Sequence, residues 1–200
     1  HEMVRNRDEF WKTPWISIEK QKRFAKEDNV LIVEELGHAP LPTEFGDFTY
    51  YAFGDRTNHG YHELLVYGNV KEGSLGNKED VLIRVHSSCR TNEVFHAVNC
   101  ECRKELHKAM EDIAKEKRGI IVYLEQEGRG TGIAGKLQQL NGMFKFEDGK
   151  IEQKVDENNQ RIDTDKAYKN AGYPSECRDF TVAGDMLKAI GIKSVRMMTN

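Results

Sequence analysis

The sequence predicts a mixed α/β (α+β) fold, with a β-rich N-terminal half and a helix–strand C-terminal half around a mixed sheet. Three observations predict it. From Asp47 to Val85 the apolar residues fall in short β-branched and aromatic runs separated by glycine and asparagine turns. Beyond Arg103 the period becomes helical, with Leu106, Ala109, Met110 and Ile113 on one stripe and Val182, Ala183, Met186, Leu187 and Ile190 on another. Each stripe then leads into a strand, the order expected of helices packed on a sheet.

Taken in order, Trp11 and Trp15 flank Thr13-Pro14, and the charged run Glu19–Asp28 precedes the apolar Val30–Val33. Residues 1–40 therefore read as an N-terminal extension, either an amphipathic arm or a solvated helix with one edge strand. The runs Phe48–Phe53, Glu63–Tyr67 and Val81–Val85 are expected to pair as an antiparallel set. A helix is expected over 103–117, a strand over Gly119–Leu124, and a second helix that Gly191 stops. Between them, residues 142–163 are polar and lack helical period. They carry Asp148-Gly149, a two-residue hairpin signal, and read as an inserted hairpin or mobile loop.

With 200 residues, 38% of them hydrophobic, the chain has enough apolar material for one core. A formal net charge of -3 argues against a general nucleic-acid binder, whose domain is usually basic. No apolar stretch approaches the roughly 18 residues of a spanning helix, so no membrane partner and a cytoplasmic location are expected.

Two motifs carry chemistry. Cys89, Cys100 and Cys102 form a C-x10-C-x-C array. Three thiolates describe a zinc ion with one coordination position open, as a hydrolytic metal needs, whereas a structural zinc closes with four ligands. His86, His96 or Cys177 would supply that fourth ligand, so the array by itself leaves both readings open. A Cys100–Cys102 disulfide would be strained by its single intervening residue. The second motif, Glu125-Gln-Glu-Gly-Arg-Gly-Thr-Gly132, follows an apolar strand and opens a helix. Its glycines let backbone amides approach an anion, and Arg129 adds a forked donor suited to phosphate. The alternative is a plain connection. Neither a Walker A pattern nor a full dinucleotide fingerprint is present.

Five ordered signatures, Arg84-Val-His-Ser-Ser-Cys89, Cys100-Glu-Cys102, Gln126-Glu-Gly-Arg-Gly130, Cys177-Arg-Asp-Phe180 and Arg196-Met-Met-Thr-Asn200, resemble those of the GTP cyclohydrolase II family of riboflavin synthesis. Leu41–Phe48 and Leu65–Gly68 resemble that family's N-terminal strands. The resemblance runs over 41–200 and implies a catalytic domain there, interrupted by the 142–163 insertion and, in the family, continuing beyond Asn200. It implies Zn²⁺ on Cys89, Cys100 and Cys102, which activates a water toward C8 of the guanine ring of GTP, with formate and pyrophosphate released. Arg178 falls at the family's proposed nucleophile toward the α-phosphate, though arginine is an unreactive cation and a charge-stabilising role is the alternative. Glu176 falls where the family carries an aspartate proton acceptor. Substrate contacts are implied for Arg84, Ser88, Glu105, Glu127, Gly128, Arg129, Thr164 and Thr199. Mg²⁺ is implied with the triphosphate, and a homodimer as the assembly.

The chain departs from the family pattern at three positions. Leu140, a few residues after Lys136, takes the place of an active-site tyrosine. Ser88 stands for a glutamate and Glu105 for a glutamine. These changes keep two further readings open. One is a divergent paralogue that stops at a formamidopyrimidine nucleotide or acts on another substrate in pyrimidine catabolism, and the other is a non-catalytic zinc-stabilised binding protein.

Overall fold

A computed structural model describes residues 31–57, 60–68, 70 and 75–199. The tryptophan-containing segment and the charged run before Leu31 lie outside the described residues. The chain divides into two compact units, residues 126–179 and the remainder.

The first unit is built on a six-stranded sheet. Its strands are β1 (Val33–Thr43), β2 (Gly46–Asp55), β3 (Tyr61–Tyr67), β4 (Val81–Ser87), β5 (Ile120–Leu124) and β8 (Val195–Met197), in the order β1-β2-β3-β5-β4-β8. β1, β2, β3 and β5 pair antiparallel in succession, and β4 lies parallel to both β5 and β8. The antiparallel set expected from the sequence therefore holds for β2 and β3 but not for β4. Helix α2 (Cys102–Glu116) returns the chain from β4 to β5, and such a crossover delivers a strand parallel to its predecessor. Val81, Leu82 and Ile83 are all buried, as in a strand covered on both faces.

The apolar stripes predicted for the helices cover the two faces. Ala109, Met110 and Ile113 of α2 pack with Phe48, Leu82 and Ile121 on one face. Val182, Ala183, Met186 and Leu187 of α5 (Thr181–Ala189) pack with Phe53, Leu64, Ile83 and Val122 on the other. A short α1 (Arg90–Glu93) lies between β4 and α2.

The second unit contains α3 (Gly132–Met143), a hairpin of β6 (Phe144–Glu147) and β7 (Lys150–Gln153), and α4 (Thr164–Asn170). Asp148 and Gly149 both adopt positive φ, 49° and 76°, the turn that the Asp-Gly pair predicts. Met143, Ile162 and Ala167 form its small core. No described helix is long and apolar enough to cross a membrane.

Candidate active site

The parallel β4/β5 pair fixes where the cysteine loop begins. Ser87 is in register with Leu124, and the Ser88 amide donates to the Leu124 carbonyl at 2.8 Å. Cys89 precedes α1 and Cys102 opens α2, so two of the three cysteines sit at helix starts. Their Sγ atoms converge: Cys89 to Cys100 is 3.6 Å, Cys100 to Cys102 is 3.5 Å, and all three lie within 4.8 Å of one another. All are free thiols.

This donor set fits a zinc ion. Zn–S bonds of about 2.3 Å place tetrahedral sulfurs about 3.8 Å apart. The sulfurs crowd one another's ionisation: hydrogen bonds from Cys100 and then Cys102 pull the Cys89 thiol far down, while Cys100 and then Cys89 push the Cys102 thiol far up. A cation among them lets all three be thiolates at once. Among the described residues no fourth side chain joins the cluster, and His86, one of the candidates for that position, bonds through Nε2 to Glu93 Oε1 at 2.9 Å.

Two side chains that sequence reasoning did not single out shape this loop. Asn92, buried, donates through Nδ2 to the Cys100 carbonyl at 3.1 Å and accepts from the Arg103 amide at 2.6 Å. Glu93 Oε1 accepts from the Cys89 amide at 3.0 Å, and its Oε2 accepts from the Tyr123 hydroxyl at 2.6 Å. The Asn92 bonds span 8 and 11 residues and the Tyr123 bond spans 30, separations that leave no pattern in the chain, whereas the Cys89–Glu93 bond spans only 4.

Of the predicted substrate contacts in this unit, Arg84 and Glu105 meet each other, with Arg84 Nη2 2.8 Å from Glu105 Oε2. Ser88 is buried and its hydroxyl has no hydrogen-bond partner among the described residues. Thr199 is exposed beyond β8.

The second unit gathers the remaining candidates. Gly128, Arg129, Gly130 and Gly132 all take positive φ, between 56° and 84°, and make a tight turn into α3. Four amides of this turn bond internally, which matches the plain connection of the two readings that the sequence left open. Gly128 N–H bonds to Glu127 Oε1, Gly130 to the Gln126 carbonyl, Thr131 to the Gly128 carbonyl and Gly132 to the Glu127 carbonyl, at 2.9 to 3.2 Å. Those glycines serve close packing instead. A Cβ on Gly130 would stand 2.5 Å from the Cys177 carbonyl oxygen, and the Cys177 amide donates to the Arg129 carbonyl at 3.0 Å.

That packing brings Glu176 and Arg178 to the turn. Gln126 latches the segment by donating to the Asp179 carbonyl at 2.6 Å and accepting from its amide at 2.9 Å. Arg129 Nη1 donates to the Ser175 carbonyl at 3.1 Å, lies 3.8 Å from Asp165 Oδ1, and its guanidinium stands 6.0 Å from the Tyr168 ring centre. Arg178 grips Glu176 with two nitrogens: Nε is 2.8 Å from Oε1, and Nη2 holds Oε2. The bond from Arg178 is the main reason the Glu176 carboxyl is lowered to about 2. Lys136 is buried, its Nζ 4.0 Å from Glu127 Oε1. Thr164 opens α4 with its hydroxyl 3.7 Å from Met143 Sδ. Leu140 is half-buried on α3.

Comparison with known proteins places these clusters in a family context. The chain is 34% identical over 168 residues to the riboflavin biosynthesis protein RibBA of Endomicrobium trichonymphae, covering 84% of this chain and 37% of that protein. It is 36% identical over 169 residues to RibBA of Phocaeicola vulgatus, with 84% and 37% covered, and 32% identical over 185 residues to RibBA of Bacillus mycoides, with 92% and 41% covered. The chain thus spans about two fifths of the length of these relatives. The crystal structure of RibBX, a two domain 3,4-dihydroxy-2-butanone 4-phosphate synthase from A. baumannii, aligns with a TM-score of 0.42 and 15% identity over 92% of this chain and 44% of that one, too weak a likeness to bear on the chemistry. The family model for GTP cyclohydrolase II matches residues 34–200, from β1 through both clusters to the last residue, and the chain belongs to that family.

Proposed function

We propose that this chain is a zinc-dependent hydrolase of riboflavin synthesis that opens the imidazole ring of GTP and releases formate and pyrophosphate. The observation that carries the reading is the open triad of thiols at Cys89, Cys100 and Cys102 in a chain of the GTP cyclohydrolase II family. The names of the curated relatives support the pathway.

Cys89, Cys100 and Cys102 would hold zinc, which would supply an activated water for hydrolysis at C8 of the guanine ring. The chain's own residues hold the ligand geometry, with Asn92 and Glu93 fixing the backbone on either side of the loop. In the second unit, the guanidinium groups of Arg129 and Arg178 are the donors suited to the triphosphate, with which Mg²⁺ would enter the site. With its amides bonded inside the turn, the glycine-rich segment contributes by aiming Arg129 rather than by cradling phosphate.

Glu176 bears on the role of Arg178. A carboxyl held at about 2 does not take up a proton near neutral pH, and its two-point grip keeps the guanidinium charged. That favours charge stabilisation and orientation of the α-phosphate over nucleophilic attack by Arg178, with Glu176 as its positioning partner. Arg84, Ser88, Glu105, Glu127, Gly128, Thr164 and Thr199 are proposed as further substrate contacts, and a homodimer, testable by sedimentation, as the assembly.

A second reading is favoured by one position. Leu140 offers no hydroxyl to aim a second water at the formyl carbon, so the chain stops at the formamidopyrimidine nucleotide. Incubating zinc-loaded protein with GTP and separating formate, pyrophosphate and ring-opened nucleotide distinguishes the two. Ring opening without formate selects the second, and no ring-opened product rejects both.

A further inference from the structure

A cavity of about 340 Å³ in the first unit has an unusual chemistry for an anion-handling chain. Its walls are leucine side chains, among them Leu106, and the rings of Tyr50 and Tyr123, and its polar groups include three carboxylates, Glu63, Glu93 and Glu125. Among the described residues no lysine, arginine or histidine lines it. The volume and the mostly apolar lining with a few polar groups are those of a small-molecule site.

The three carboxylates are not equivalent. Both oxygens of Glu93 are engaged, by the Cys89 amide and His86 on one side and the Tyr123 hydroxyl on the other, so it is a wall shared between the cavity and the metal loop. Glu63 Oε1 accepts from the Tyr50 hydroxyl at 2.9 Å. Glu125 differs: its backbone is pinned, with the amide donating to His62 Nδ1 at 3.1 Å, and His62 Nε2 in turn lies 3.2 Å from the buried Asp55. Its carboxylate, half-buried at the cavity, has no hydrogen-bond or ion-pair partner among the described residues. Burial raises the Glu63 carboxyl, and the charge of Glu125 raises it further. The cavity thus holds surplus acceptors that repel one another, a state that entering N–H donors relieve.

The geometry discriminates among guests. A divalent cation is disfavoured because, among the described residues, only the three cysteines converge at metal-binding spacing. An anion is disfavoured by the charge. A flat ring with two adjacent N–H donors fits, because two parallel N–H···O bonds match the two oxygens of one carboxylate while the ring faces lie against leucine and tyrosine. The N1–H and 2-amino group of guanine form that edge.

We propose that Glu125, assisted by Glu63, is the specificity-determining carboxylate for the base, accepting from N1–H and the 2-amino group of a guanine nucleotide in this cavity. The proposal rests on the reading above that the substrate is a guanine nucleotide. Glu93 ties the cavity to the cysteine loop, which puts base recognition beside the metal ligands.

Isothermal titration of the zinc-loaded chain in Mg²⁺ with GTP and with inosine triphosphate, which lacks the 2-amino group, tests it. Wild type should bind GTP roughly 10-fold or more tightly than inosine triphosphate, since a charge-assisted hydrogen bond is lost with the amine. Glu125→Gln should bring that ratio close to one, chiefly by weakening GTP, and Glu63→Gln should lower it in the same direction. A wild type that does not distinguish the two nucleotides, or folded variants that keep the full preference, overturn the assignment while leaving the cyclohydrolase reading intact. A wild type that binds neither nucleotide overturns that reading and this assignment with it.

Discussion

At the scale of single residues, two carboxylates, Glu176 and Asp55, have different tasks. Glu176 holds a cation in place, and Arg178→Lys tests how much its two-point geometry contributes. The ammonium keeps the charge but not the fork, so kcat should fall by roughly 100-fold, the order seen when one transition-state donor is lost, with a smaller change in KM. Asp55 has a structural task. Burial raises its carboxyl, but hydrogen bonds from His62 and Thr57 outweigh it and leave it below the ordinary value of 3.8. A carboxyl lowered on folding contributes stability that is fully present above its unfolded pKa and lost as pH falls through its folded one. Melting temperature should therefore drop more steeply below about pH 4 in the wild type than in Asp55→Asn, as measured by circular dichroism, with the variant less stable at neutral pH. The cysteines and Arg129 stood out from the sequence by residue type and spacing, as groups suited to metal and phosphate, whereas Arg178 was singled out through the family resemblance alone. Asn92, Glu93 and Gln126 were not, since each acts through bonds to backbone groups that only the folded loop brings near.

At the scale of elements, periodicity read α2 and α5, and Asp148-Gly149 marked the hairpin, because those signals are local, whereas the short α1 and α4 were not anticipated. It did not give the direction of β4, where three consecutive buried residues fit either orientation and the intervening helix α2 decides. Nor did it give the use of the glycine-rich turn. Glycine spacing announces positive φ and close approach, but the structure spends that freedom on the Cys177 segment rather than on an anion. Gly130→Ala is the corresponding test. The new methyl group would sit 2.5 Å from a carbonyl oxygen at a φ of 84°, so the turn must shift and lose about 1–3 kcal/mol. Weaker nucleotide binding together with a lower melting temperature is expected. Unchanged GTP affinity in titration would mean that the turn does not aim Arg129.

At the scale of the whole molecule, the cysteine triad and the Arg129–Arg178 cluster belong to separate compact units, to which the proposed function assigns metal ligation and phosphate recognition respectively. Leu140 belongs to the second unit and sets the product expected. On the second reading, Leu140→Tyr should raise formate per pyrophosphate toward one, and a one-to-one ratio already present in the unmutated chain would reject that reading in favour of the first. The central claim, that zinc on the cysteine triad opens the guanine ring, is tested most directly by titrating zinc into metal-free protein while following ring-opened nucleotide from GTP. The account predicts activity that rises linearly to one zinc per chain and then levels off, and none at any zinc concentration in Cys100→Ser. Full turnover by the metal-free chain, or an active Cys100→Ser protein, would contradict it.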